Sequence, residues 1–116
     1  MTKTAPKIVS PGKLSFTPRF EYGEMAEVAV VCGPDDGTEL GAGYVRMTGA
    51  EIPWTIKYDE VVLVVEGSLT IRTQGGDLTA GPGESIWLPA GTELTYVAEN
   101  ALVFYAIHPA NWADKG

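Results

Sequence analysis

The residues whose types and spacing could do chemistry gather in one run, Pro53 to Gly67, PWTIKYDEVVLVVEG. Two-residue alternation along a strand puts Trp54, Ile56, Tyr58 and Glu60 on one face if no bulge intervenes. A carboxylate beside a phenol and an indole has two readings. As structure, Glu60 is hydrogen-bonded to a tyrosine and merely satisfied, since an unpaired buried polar group costs roughly 1–3 kcal/mol. As function, desolvation raises the proton affinity of such a carboxylate, which suits a general acid or base, or a group that pairs with a cationic ligand. Both stay open, because carboxylates are seldom buried without cause. Asp59 has the opposite parity, so a dyad with Glu60 needs a bulge at Tyr58–Asp59, and bulges are common near barrel sites.

The elements that would position these side chains are short strands. Turn signals such as SPG (10–12), CGPDDG (32–37), TGAEIP (48–53), QGGD (74–77) and PAG (89–91) leave runs of strand length between them. Val, Ile, Thr and aromatics fill AEVAVVC, GYVRMT, WTIKY, EVVLVVE, SLTIRT, ESIWLP, ELTYVAE and ALVFYAI, residues that pack well on a pleated surface. Two hairpins are expected, one turning at Gly75-Gly76 and one joining ESIWLP to ELTYVAE through Ala90-Gly91. Eight to ten strands without helical periodicity predict one antiparallel sandwich or barrel. Helix is expected only as one turn near PANWAD. Residues 1–10 read as an N-terminal arm able to swap onto a partner, residues 11–112 as the domain, and 113–116 as a tail.

The whole chain narrows the function classes. Its 116 residues suffice for one domain. The lone Cys32 cannot form an intramolecular bridge, so a reducing, cytoplasmic compartment is the natural reading, with Cys32 as a buried strand-end thiol. The N-terminal run MTKTAPKIVSPGKLSF has no apolar core of a signal peptide, and no stretch is long enough to span a membrane. Fifteen acidic against eight basic residues give a net charge of −7, which disfavours nucleic acid as a partner.

Two spacings resemble the paired signatures of cupin barrels. Glu60 is followed by six residues and Gly67, and Gly83 is followed by ESIWL and then Pro89-Ala90-Gly91. These glycines and prolines set tight turns, so they report on fold: all-β, a single cupin jelly roll. The histidines of the signatures are missing. Their positions fall on Trp54 and Ile56 (or Pro53 and Thr55) and on Leu94, with Ala98 at the asparagine position. A first-row metal held by imidazole needs ligands that this chain lacks, so neither a metal nor another cofactor is expected. The only histidine, His108, lies outside both signatures and reads as a surface or packing residue.

GAGYVRM, PWTIKYDEVVLVVEGSLTI, AGPGESIWLPAGTEL and FYAIHPANW together resemble the ethanolamine-utilisation Q proteins over about residues 8–112. The resemblance implies a cupin dimer associated with ethanolamine catabolism, in a family to which acetate kinase activity has been ascribed. Members often carry a further N-terminal region of comparable length, involved in microcompartment association, which these 116 residues do not include. His108 replaces an aromatic or aliphatic residue common at its position.

The cupin resemblance places Glu60 at an inward position and gives Leu94, Tyr96 and Ala98 the inward parity of the later strand. An aromatic-walled cavity follows, with Glu60 and Tyr58 as candidate catalytic groups and Tyr96, Trp54, Trp87, Arg46 and Asp59 as candidate ligand contacts. Trp54 and Trp87 also read as core, and Trp112 as a clamp for the tail. Three function classes remain. One is a protein binding a small polar amine or acid, with metal-independent acid–base chemistry by Glu60. The second is an acetate kinase-like enzyme, although no Gly-x4-Gly-Lys-Ser/Thr loop is present. The third is an assembly protein with a solidly packed barrel. A homodimer is expected, because ALVFYAI and AEVAVV hold more apolar residues than one small barrel must bury.

Overall fold

The computed structural model describes residues 3–10, 12, 16–18 and 25–113. Among them eight strands form, all paired antiparallel: β1 (Thr17–Pro18), β2 (Ala26–Cys32), β3 (Gly41–Thr55), β4 (Asp59–Gly67), β5 (Leu69–Thr73), β6 (Gly76–Ala80), β7 (Ser85–Leu88) and β8 (Glu93–His108). The expected all-β jelly roll is what forms. Two strands are far longer than the turn signals imply. β3 fuses GYVRMT with WTIK's first residues across Gly49, and β8 fuses ELTYVAE with ALVFYAI.

These long strands serve two layers. Their outer lengths, from Gly41 to Thr48 and from Asn100 to Ile107, pair together and are flanked by β2 with β1 on one side and β4 with β7 on the other. Their other lengths, Ala50 to Thr55 and Glu93 to Ala98, continue into β5 and β6. Val45, Val62, Val64 and Val103 from the first layer and Ile52, Leu69, Ile71 and Leu94 from the second share one buried cluster. Removing that apolar area from water is what holds the layers together.

The glycine that closes the Glu60 spacing has a steric reason. Gly67 ends β4 at φ 78, and a Cβ there would collide with the carbonyl oxygen of Asn100 where β8 bends. Only glycine allows both the turn and the close approach.

Local expectations changed in four places. The first hairpin turns at Gln74-Gly75, one residue earlier than expected, because Thr73 pairs with Gly76 and its hydroxyl donates to the Gly76 carbonyl at 2.8 Å. The second is not a hairpin: β7 pairs with β4, and the chain crosses to the other layer before β8 begins. Its Ala90-Gly91 turn instead bonds the loop after β3, with the Gly91 amide donating to Ile56 O at 2.8 Å and the Ala90 amide to Asp59 Oδ1 at 3.0 Å. Among the described residues no helix forms near PANWAD, where the chain makes turns; a 3-10 turn occurs at Pro34–Asp36. Cys32 does end a strand but is half-buried, its thiol 3.7 Å from the Leu40 carbonyl. The N-terminal arm lies against that 3-10 turn of its own chain: Thr4 Oγ1 donates to Asp36 Oδ1 at 2.7 Å and Lys7 Nζ at 3.0 Å. Among the described residues no helix is long and apolar enough to cross a membrane.

Candidate functional site

Between the layers lies a pocket of about 290 Å³. Glu60, the second residue of β4, points into it and is only 6% exposed. Strand parity explains this: Glu60, Val62 and Val64 face inward, while Asp59, Val61 and Leu63 face out. Tyr96 stands on β8 in the opposite layer, and its hydroxyl donates to Glu60 Oε1 at 2.9 Å. That bond joins the two layers.

Trp54, at the end of β3, and Tyr58, in the loop that follows, line the same pocket. Trp112, in the turn beyond β8, covers both. Its ring meets Trp54 edge-on at 5.8 Å and lies tilted to Tyr58 at 5.6 Å. The Ala110 amide ties this turn to the Glu39 carbonyl at 2.6 Å. The indole nitrogen of Trp54 is buried without a hydrogen-bond partner among the described residues. Val45, Met47, Ile52, Val62, Leu69 and Val103 make up most of the remaining wall. The arrangement can present one carboxylate, phenols and indole faces to a ligand in a largely apolar enclosure, the usual composition of a small-molecule site.

Three expected contacts are not in this wall. Trp87 is 59% exposed on the outer face of β7, opposite Val61, because Ile86 and Leu88 take the inward positions. Arg46 also faces out, between inward Val45 and Met47, with its guanidinium 5.5 Å from the centre of the Phe16 ring. Asp59 is exposed and accepts the Ala90 amide; no bulge brings it beside Glu60, so the two carboxylates form no dyad.

The family profile described as "Ethanolamine utilisation protein EutQ" matches residues 7–114. The chain belongs to the EutQ family. It is 30% identical over 107 residues to the acetate kinase EutQ of Clostridioides difficile (strain 630), covering 89% of this chain and 68% of that protein. It is 35% identical over 79 residues to the acetate kinase EutQ of Escherichia coli (strain K12), covering 67% of this chain but 34% of that protein. The chain thus spans about a third of the length of that relative. Among solved structures it is similar to a putative ethanolamine utilization protein Q from Salmonella typhimurium LT2, with a TM-score of 0.83 and 24% identity, covering 90% of this chain and 86% of that one. The fold is also that of a cupin domain from an XRE family regulator of Enterobacter cloacae, with a TM-score of 0.63 and 18% identity, covering 72% of this chain and 96% of that one.

Within this EutQ chain the side chains at the cupin ligand positions do not suit the metal that the wider fold implies. Trp54 and Leu94 offer no lone pair to a cation and Ile56 is 1% exposed in the core. Among the described residues no three His, Cys, Asp or Glu side chains gather into a metal-holding group. His108 is exposed and paired across the sheet with Asp59. Sequence reasoning missed Tyr105, Ile107 and Trp112 as pocket residues. ALVFYAI is apolar on both faces, so its alternation carries no inward signal. Trp112 reaches the pocket only because the chain turns back after β8.

Proposed function

We propose that this EutQ-family cupin is a small-molecule-binding protein whose pocket takes an organic amine, with Glu60 as the group that receives the ammonium. The observation that carries the reading is a buried carboxylate, held by the Tyr96 hydroxyl, in a pocket walled by Trp54, Tyr58 and Trp112. The carboxylate and the negative faces of the rings favour the same sign of ligand charge. In this reading Glu60 also takes or returns a proton on a bound amine or a neighbouring carbon, with Tyr58 as a second proton-bearing group. The pocket argues against a barrel packed solid for assembly alone. One cysteine, half-buried, fits a reducing, cytoplasmic setting. Calorimetry with ethanolamine and related amines tests the proposal: heat is expected for the native chain and its loss in Glu60→Gln. Equal heats from both proteins would remove it.

The names of the relatives favour a second reading, an acetate kinase. Phosphoryl transfer needs groups that neutralise phosphate charge, and the pocket's described lining includes Glu60 but no Lys or Arg. A coupled assay supplying acetyl phosphate and ADP separates the readings. ATP formation that tracks the purified chain would favour the kinase; none would leave the amine site.

A further inference from the structure

Among the described lining residues the carboxylate lies at one end of the pocket, and the strand register locates that end. On β4 the inward residues are Glu60, Val62 and Val64, whose partners on β8 are Ile107, Tyr105 and Val103. β3 extends the last of these rows with Val45 opposite Val103. From the Glu60 row to the Val103 row is four residues of strand, on the order of 13 Å at about 3.3 Å per residue. One end thus holds the carboxylate and the aromatic cluster around Tyr58. The other holds Val45 and Val103, with Leu69 facing them from the second layer.

Resting on the amine reading above, we infer that the ligand is an amphiphilic amine. Its ammonium sits at Glu60, and an alkyl or aryl tail of several carbons runs along Val62, Leu69 and Val103. Size and polarity both point there. About 290 Å³ is room for about ten water-sized groups at ~30 Å³ each. A two-carbon amino alcohol would fill a minor part of that space and leave the valine and leucine walls wet. A longer tail removes those walls from water, and each buried methylene is worth about fourfold in affinity.

Calorimetry on the full chain at neutral pH tests this with ethylamine, n-butylamine, n-hexylamine and ethanolamine, and with 1-hexanol as the uncharged match to hexylamine. The expected Kd falls about fourfold per methylene, roughly two orders of magnitude from ethyl to hexyl. Hexylamine should bind at least about tenfold more tightly than hexanol. Glu60→Gln should erase that difference, and Tyr96→Phe should narrow it, circular dichroism showing both variants folded. The amine-to-alcohol comparison on the native chain needs no variant. Ethanolamine binding as tightly as hexylamine, still dependent on Glu60, would overturn the amphiphilic ligand and leave the amine reading standing. Hexanol matching hexylamine, or no heat from any amine, would overturn both.

Discussion

Glu60 and Tyr96 meet across the barrel, one from each layer, so their hydrogen bond is both a site feature and a tie between sheets. Tyr96→Phe keeps the ring and removes the donor. It should destabilise the fold by roughly 1–3 kcal/mol in urea titration, because a buried carboxylate then loses a partner. An unchanged midpoint and slope would show that water or another side chain takes the hydroxyl's place. A second residue-scale prediction separates backbone strain from collision. Gly67 and Gly83 both have positive φ, 78 and 86, but only Gly67 faces an obstructing atom. Gly83→Ala should cost roughly 1–2 kcal/mol from conformation alone. Gly67→Ala adds the clash with Asn100 O and should cost roughly 2–5 kcal/mol. Equal losses would mean that β8 gives way at its bend. Parity along WTIKYDE puts Glu60 on one face with Trp54 and Tyr58, and the cupin spacing makes that face the inward one; nothing in GYVRMT or ESIWLP marks which alternate set meets the core, and Arg46 and Trp87 lie on the outer one.

At the scale of elements, the N-terminal arm is held by the 3-10 turn at Pro34–Asp36. The Thr4 hydroxyl, the Lys7 ammonium and the Gly33 amide, in that order, hold the Asp36 carboxyl below its ordinary value of 3.8. Because the folded group is the stronger acid, its contribution is complete well above 3.8 and is lost as pH falls through the lower, folded value. The arm should therefore be protected at neutral pH and loosen in acid. Amide exchange of residues 3–10 followed from pH 6 to pH 3 reads this directly, and Asp36→Asn should loosen the arm already at pH 7. Protection that stays constant across that range would mean that the Thr4 amide bond to the Asp36 carbonyl carries the tether. The ion pair is exposed on the Lys7 side, so salt should weaken it as well. Strand boundaries were legible as turn residues except where β3 and β8 run through their bends. A bend keeps its pairing on both sides, so Gly49 in β3 reads as a break without being one.

For the whole molecule, the homodimer expected from apolar excess remains a proposal. Val61 and Trp87 are exposed side by side on the outer side of the first layer, which is what a sheet able to pair with a second copy would present. Light scattering at micromolar concentration should give twice the 12.4 kDa chain mass. A single-chain mass would remove the dimer and leave these side chains as ordinary surface. Family membership reached nearly the whole chain through motifs spread from GAGYVRM to PANW, which the family profile matches together over residues 7–114.

Fold class was decided locally, by turn residues and two-residue alternation that act within a few residues of chain, and the family and the inward aim of Glu60 by motif residues and spacings written in the sequence. Which tyrosine meets the carboxylate, how Trp112 comes to cover it, and how much space remains between the layers depended on contacts between segments distant in the chain. No local pattern encodes those distances, because they are set by how two bent sheets pack against each other.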